Sequence, residues 1–341
     1  MSAPKPADAG RPPRGSRKVA KPHLLESAPK PAATGLSGAA FATLLLISFM
    51  MSANHVAARL AFNNGVDVAT AVAFRSGITA LVVGGLLWWQ HVPVRLSARH
   101  CKALPIIGVL VTVQSLCLYS SVARLPVALA LLAFNTYPLW TALWARVVYG
   151  HRAEPAVLHA MPVMLLGLAL ALDVLGAASG LGAAGQWGRI GVGVAFALAA
   201  GATFGLALVL TQHEAGDLDG RLRTFSTMAM VALLTVAGVG ASSLTGMGAQ
   251  WGIAGGFHLP QAVAGWWGLV GLTLLYGTAF TIMFTVLPRL GVVGNSAIMN
   301  IEPIFALVLA WGLLDQSIAA IQVAGGLLVV ATVMWLGLRR R

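Results

Sequence analysis

The sequence is dominated by ten apolar runs, each close to the roughly 20 residues that a helix needs to cross the hydrocarbon core of a bilayer. A chain inside a bilayer must satisfy its backbone hydrogen bonds internally, so runs of this length fold as helices. The pattern predicts an all-α integral membrane protein with ten transmembrane helices, at about 36–57, 68–89, 103–122, 126–147, 155–174, 189–211, 223–245, 265–286, 292–313 and 318–338.

The distribution of basic residues supports this number of spans. Only 9% of the residues are charged, against roughly 25% in soluble domains. If the N-terminus is cytoplasmic, all but four of the 22 basic residues fall on the cytoplasmic side or in the tail. The exceptions are Arg59, Arg124 and Arg189 on the outer side and Arg75 within the second span. Because basic loops favour the cytoplasm, we predict a multi-pass protein of the cell (inner or plasma) membrane with both termini cytoplasmic.

The N-terminal tail carries much of the net charge of +12. Residues 1–35 are rich in Pro, Ala, Lys and Arg and have too little apolar surface to fold alone. We predict a disordered basic cytoplasmic tail, with adhesion to anionic membrane lipid as an open alternative. The other basic residues lie mostly at span ends, so the charge does not indicate a nucleic-acid partner.

Motifs for catalysis are absent from the sequence. Cys101 and Cys117 lack metal-ligand spacing, and the sequence has no phosphate-binding glycine loop and no nucleophile with a plausible base. We therefore predict that the protein is not an enzyme and uses no cofactor or metal. The short loops leave no room for an ATPase domain, so gradients are the expected energy source.

An internal repeat relates the fourth and ninth spans. The aligned pairs are Asn135 with Asn300, Pro138 with Pro303, and Trp140 with Phe305. Each copy lies in the fourth span of a five-span set. Because five is odd, the second set must cross the membrane in the opposite sense. We predict two inverted five-helix repeats, at 36–176 and 188–338.

The two repeat prolines predict breaks in their helices. Proline lacks the N–H that would bond the carbonyl four residues earlier, so the carbonyls of Phe134 and Met299 need other partners. Neighbouring helices, water or substrate supply such partners in membranes. A packing kink is the alternative, but two symmetry-related prolines, each near an asparagine, favour a binding site.

These residues give the chain a resemblance to the drug/metabolite transporter superfamily, specifically to its ten-helix EamA-type members. The matching features are Arg75 in Ala73-Phe74-Arg75, Pro138, and the segment from Glu302 to Ala306. The resemblance implies two EamA-like repeats around a central substrate cavity, and gradient-driven export of amino acids or other small metabolites. His151 and Gln316 stand where family members often carry glutamates, so the role of those glutamates does not carry over.

Glu302 is the one acid well inside a predicted span, and a charge in hydrocarbon is expensive to keep. Its functional interpretation is proton coupling or recognition of a cationic substrate group. The alternative is a structural carboxylate that is paired with Arg75 or is protonated and hydrogen-bonded. Arg75 itself suits a substrate carboxylate because its planar fork binds such groups, and structural pairing is again the alternative.

Five further residues complete the candidate substrate or coupling site. His55, late in the first span, is a candidate proton relay because its ordinary pKa lies near physiological pH. Tyr137 occupies the repeat position equivalent to Glu302 and, with Trp140, is a candidate for the lining of an amphiphilic cavity. Packing or structural hydrogen bonding is the alternative for these three. The remaining two are Asn135 and Asn300.

The leading hypothesis is a secondary transporter that exports amino acids or related small metabolites by alternating access. One alternative is proton-coupled efflux of cationic drugs, and another is a membrane receptor or assembly protein without transport activity. The expected partners are a small-molecule substrate, protons and membrane lipid. No oligomeric state is predicted.

Overall fold

The computed structural model describes residues 38–151, 155–245, 257–286, 301–316 and 319–339. These residues form α1 (Gly38–Asn63), α2 (Val68–Trp89), α3 (Ala98–Arg124), α4 (Val127–Phe134), α5 (Tyr137–Tyr149), α6 (Pro155–Ala171), α7 (Gly182–Glu214), α8 (Gly220–Thr245), α9 (Val263–Thr285), α10 (Glu302–Leu314) and α11 (Ala320–Arg339). The described part of the chain is thus all-helical, which confirms the all-α part of the predicted fold class. The inverted relation of the two repeats stays a prediction.

Ten of the described helical stretches are apolar enough to account for the predicted spans. Seven are also long enough to cross a membrane, and three shorter ones cover His159–Ala171, Glu302–Leu314 and Ala320–Trp335. The fourth predicted span contains both α4 and α5, which together form one crossing over Val127–Tyr149. The first part of the ninth predicted span, with Asn300, lies outside the described residues, as does the predicted tail.

Some helix ends differ from the predicted span ends. Helix α3 begins at Ala98 instead of near 103, because Ser97 and His100 form a reciprocal cap. The Ser97 hydroxyl accepts from the backbone N–H of His100, and the His100 ring accepts from the backbone N–H of Ser97. Hydropathy locates the membrane-embedded part of a helix, whereas the capping groups determine where helical hydrogen bonding starts.

A helix begins at the residue before each repeat proline. Helix α4 ends at Phe134 and α5 begins at Tyr137, so Pro138 is the second residue of α5. Helix α10 likewise begins at Glu302, with Pro303 second. Proline is tolerated in a first turn because its missing N–H would have no intrahelical partner there. Each repeat thus places a helix N-terminus at its proline.

Helix α4 is enclosed by other helices, since every residue from Val127 to Ala133 is buried. It packs against α7, α10 and α11. The carbonyl of Phe134, at the end of α4, faces Gly201 of α7, where an added Cβ would lie 3.1 Å from the carbonyl oxygen. The glycine lets α7 approach closely here. The carbonyl of Met299 lies outside the described residues.

Helices of the first predicted half pack in pairs with helices of the second. Helix α3 packs against α7 and α1 against α9, so the third helix of each half contacts the first helix of the other. Helix α2 packs against α8, and α6 against α11, which pairs the second and the fifth helices of the halves. The halves therefore share a common interior instead of forming separate bundles.

Helices α6 and α11 cross at two glycines. A Cβ added to Gly325 would lie 2.5 Å from the carbonyl oxygen of Gly167 and 2.5 Å from the backbone nitrogen of Ala171. Such distances leave no room for a side chain at this crossing. Met164 of α6 and Val329 of α11 are fully buried and belong to the same apolar core. Small residues that allow close backbone approach are typical of helix packing in membranes.

Candidate functional site

Glu302 lies where α10 meets α1. The Glu302 carboxylate Oε1 is 3.3 Å from Nε2 of His55, and the Glu302 backbone carbonyl accepts a hydrogen bond of 2.6 Å from the Ser52 hydroxyl. Ser52 and His55 are three residues apart and therefore lie on one face of α1. The rings of Phe49 and Phe305 pack edge to face one turn away, with centroids 5.7 Å apart. The carboxylate is thus held between the first and second predicted halves.

A ring contact and two hydrogen bonds lead from His55 into the bundle. The His55 ring lies 5.6 Å from the Tyr119 ring, measured between centroids. The Tyr119 hydroxyl donates to Oδ1 of Asn54 at 2.9 Å and accepts from Nη1 of Arg75 at 3.2 Å. Helices α1, α2 and α3 each contribute one or two of these residues, so the network forms only when the three helices pack together.

Arg75 is buried among hydroxyl groups and aromatic rings. Its Nη2 donates to the Ser115 hydroxyl at 2.9 Å. Its guanidinium carbon lies 4.0 Å from the centroid of the Tyr276 ring and 4.7 Å from that of Tyr119, which places the cation over two π faces. In the described residues, the ion-pair partner of Glu302 is His55 and not Arg75.

The aromatic candidates of the fourth span lie against α7. The Tyr137 ring packs against Phe204, with centroids 5.2 Å apart. Trp140 lies beside Gly205, where an added Cβ would approach the Trp140 Cβ to 2.9 Å. Asn135 is buried at the end of α4, where its backbone N–H bonds the carbonyl of Leu131. The structure thus places these three residues in helix packing, while Glu302 contacts α1.

A pocket next to Pro303 is small and apolar. It lies between α4, α10 and α11, with a volume of about 40 Å³, and its lining includes Leu132, Ile304 and Gly326. That volume is enough for one or two water molecules, but an apolar wall gives water no hydrogen-bond partners. The charged residues of the site lie on the α1 side of α10 and not in this pocket.

Charged residues join the start of α3 to the end of α7. Glu214 accepts from Nε of Arg99 and from the Tyr149 hydroxyl, both at 2.7 Å. His100 Nε2 lies 3.0 Å from the Asp217 carboxylate, and this hydrogen bond lowers the pKa of Asp217 from its ordinary value. These five residues are called the α3–α7 end cluster below.

A second set of contacts joins the end of α1 to the loop before α9. Asp67 accepts from the backbone N–H of His258 at 2.9 Å and also caps α2. The carbonyl of Asn64 accepts from the backbone N–H of Gln261 at 3.0 Å. Asn64, Asp67, His258 and Gln261 are called the α1–α9 end cluster below.

The two end clusters lie at opposite ends of α3. Arg59, near the end of α1, donates to the carbonyl of Val122 at the end of α3, with a distance of 2.7 Å. The α1–α9 end cluster therefore lies near the last turn of α3, whereas the α3–α7 end cluster begins in its first turn. Each cluster joins an element of the first predicted half to one of the second.

His151 and Gln316, where the resemblance led us to expect glutamates, also make contacts between the predicted halves. His151 lies 5.0 Å from His213 of α7 between ring centroids, beside the α3–α7 end cluster. Gln316 accepts a hydrogen bond of 3.1 Å from the backbone N–H of Val127, at the start of α4. Neither contact requires a carboxylate.

Several residues of the polar network were not among the sequence candidates. Tyr119, Ser115 and Tyr276 looked like ordinary members of apolar spans. The available signal was the four-residue spacing of Ser115 and Tyr119, which puts both on one face of α3. That spacing alone does not show that Arg75 of α2 faces them.

Comparison with known proteins agrees with this architecture. The model of the EamA-like transporter family matches twice, at residues 37–172 and 191–338. One solved structure, described only as "Crystal structure of protein", has a TM-score of 0.54 at 18% identity and covers 88% of this chain and 98% of its own. That likeness shows the fold alone. No curated protein matches the sequence. Because the family model matches both repeats and most of the chain, this protein belongs to the EamA-like transporter family.

Proposed function

We propose that the protein is a gradient-driven secondary transporter that exports amino acids or related small metabolites from the cell by alternating access. The observation that carries this proposal is the contact between Glu302 and His55. A titratable pair inside a membrane bundle is energetically costly, and such groups usually have a function. This pair joins helices of different repeats. Its protonation therefore bears directly on how the two repeats hold together.

The exchanged helix pairs support inverted repeats. A two-fold rotation that exchanges the halves turns the α3–α7 contact into the α9–α1 contact, and both contacts are present. The same rotation maps the α2–α8 and α6–α11 contacts onto themselves. A five-helix repeat related in this way runs through the membrane in the opposite sense to the first. The ten spans then leave both termini of the chain in the cytoplasm, in agreement with the distribution of basic residues.

The Glu302–His55 contact supplies a coupling step. When Glu302 is ionised and His55 is protonated, attraction between the charges strengthens the contact between α1 and α10. A proton on Glu302 removes that attraction, and the contact then retains only its hydrogen bonds and packing. Proton uptake from one side and release to the other would thus bias the α1–α10 contact during the cycle.

The two end clusters supply gates. Alternating access requires one end of the bundle to open while the other stays closed. Each end cluster joins the two repeats through polar contacts near the helix ends. The Arg99–Glu214 ion pair of the α3–α7 end cluster is partly exposed to solvent, so its opening separates no buried ion pair. We assign the α3–α7 end cluster to the cytoplasmic gate and the α1–α9 end cluster to the outer gate.

A flux measurement tests the proposal. The purified protein is reconstituted in liposomes and offered a panel of amino acids, small carboxylic acids and cationic dyes, with and without an imposed pH gradient. We expect pH-dependent flux of at least one amino acid or related metabolite. Flux restricted to the dyes would support drug efflux instead, and no flux for any solute would support a receptor or assembly protein.

A charge swap tests the proposed cytoplasmic gate. Glu214→Arg places like charges at 214 and 99, and we expect exchange of the transported solute to fall by no more than about fivefold, because solvent screens an exposed ion pair. The double variant Arg99→Glu/Glu214→Arg restores opposite charges and should recover most of the rate. Arg95→Glu changes an exposed basic residue nearby and serves as the control. Equal rates in the single and double variants would contradict the gate.

A further inference from the structure

The guanidinium of Arg75 is a cation buried between α2, α3 and α9. Only 3% of the residue is exposed. Burial of a charge is strongly unfavourable unless an opposite charge or a full set of hydrogen bonds compensates it. Two hydroxyl groups and two aromatic rings compensate only part of this cost.

No acid of the described chain forms an ion pair with Arg75. Glu302 pairs with His55, Glu214 with Arg99, and Asp219 with Arg221. Asp67 and Asp217 belong to the end clusters, Asp173 accepts backbone bonds in the loop after α6, and Asp315 follows the last residue of α10. Residues 287–300, which lie outside the described residues and include the first part of the ninth span, contain no Asp or Glu. A protein carboxylate for Arg75 is therefore missing from the surrounding spans.

Hydrogen-bond donors near Arg75 also lack partners among the described residues. They are Nε of Arg75 itself, Nδ2 of Asn54, and the hydroxyls of Ser76 and Thr79. Asn54 is tied to Arg75 through the Tyr119 hydroxyl, which bonds both residues. Thr79 lies one turn after Arg75 on α2 and faces Gly277, next to Tyr276 on α9. Buried polar groups are normally satisfied, so free N–H donors beside a buried cation mark a place for an acceptor.

We infer that Arg75, Asn54, Tyr119, Ser115 and Tyr276 form the binding site for the carboxylate group of the transported solute. This inference rests on the proposed transport function and narrows its substrate class. A guanidinium binds a carboxylate through two parallel N–H···O bonds, and Nε with one Nη offers such a pair of donors. The Asn54 amide supplies a further N–H.

The site separates two tasks within one network. Arg75 recognises the carboxylate of the solute. Glu302 exchanges protons, and its own negative charge repels the solute carboxylate. His55 and Tyr119 connect the two residues. A solute that lacks a carboxylate leaves the Arg75 charge without a counter-ion, so cationic drugs are poor substrates. This assignment favours amino acids and other small carboxylic acids.

Matched acid and amide pairs provide the test. Each amino acid of the panel is compared with its primary amide, which has nearly the same shape and keeps the ammonium group but lacks the carboxylate. Binding is measured in two ways, by competition with flux in proteoliposomes and by thermal stabilisation of the purified protein. The acid that the protein transports should compete about tenfold or more better than its amide.

The variants separate the effect of the positive charge at position 75 from that of the paired N–H donors of the guanidinium. Arg75→Lys keeps a cation but loses the paired donors, and we expect the preference for acid over amide to fall by about tenfold. Arg59→Lys is the matched control, because Arg59 donates to backbone carbonyls at the end of α3 and should keep the preference. Glu302→Gln should also keep it, since the anion does not bind there.

The outcomes distinguish this inference from the proposed function. An amide that competes as well as its acid in the wild-type protein would overturn the carboxylate site, even if transport is observed and even if Arg75→Lys does not fold. An unchanged acid preference in folded Arg75→Lys would overturn it as well. If no solute is transported, the proposed function fails. Thermal stabilisation of the protein by acids but not by their amides would then still support carboxylate binding at Arg75, and equal stabilisation by both would overturn it.

Discussion

Glutamine in place of Glu302 is expected to abolish flux driven by a pH gradient and to leave solute exchange without a gradient largely intact. Glutamine cannot ionise, so it resembles the protonated carboxylate at every pH. It has nearly the same shape and can still bond His55, so the α1–α10 contact should persist. The measurement compares pH-driven uptake with counterflow in the same proteoliposomes, using the solute identified in the flux panel.

Asp315→Asn is the matched control for this substitution. Asp315 follows the last residue of α10 and adopts a left-handed backbone conformation, with φ of 54°. Asparagine tolerates that conformation, so the control removes a carboxylate near the other end of the same helix without strain. It should retain the full pH response. A wild-type pH response in Glu302→Gln would remove Glu302 from coupling, whereas loss of both pH-driven flux and exchange would show a structural role.

The Gly325→Ala variant should lower the melting temperature of the protein markedly. The new methyl group would meet two backbone atoms of α6 at 2.5 Å and the Cβ of Leu170 at 2.8 Å. Backbone atoms cannot rotate aside as a side chain can, so α6 and α11 must separate. Overpacking of this kind costs about 2 kcal/mol, which corresponds to a fall of about 5 °C in melting temperature.

Gly85→Ala distinguishes this clash from a general effect of replacing glycine in a helix. No atom lies within 4 Å of a Cβ added at Gly85 of α2. Alanine favours helix over glycine by about 1 kcal/mol, so this variant should be as stable as the wild type or more so. Equal melting temperatures for the two variants, measured in the same detergent, would contradict the close crossing of α6 and α11.

The fold class followed from the sequence because a bilayer restricts the choice of structure. Apolar runs of spanning length must be helical, so the positions of the spans were predictable. The helix ends were less so. The start of α3 depends on a hydrogen-bonded cap between Ser97 and His100, which hydropathy does not register.

The candidate site was only partly predictable. Glu302, Arg75 and His55 stood out because charged or titratable groups are rare inside apolar runs. Their pairing was not predictable, because Glu302 lies 247 positions after His55 and the contact depends on how α1 packs against α10. Tyr119 and Tyr276 were missed because a tyrosine in an apolar run resembles ordinary packing until a neighbouring cation is placed.

The hydrogen bond from Ser52 to the Glu302 carbonyl limits how α10 moves. That bond joins a hydroxyl to a backbone oxygen, so it is independent of pH, whereas the carboxylate contact with His55 changes with protonation. The two contacts act on the same residue at the first turn of α10. In the coupling step that we propose, a proton on Glu302 would loosen the contact with His55 while the Ser52 hydrogen bond acts as a pivot. The motion that this step predicts for α10 is a tilt about Ser52 and not a separation from α1.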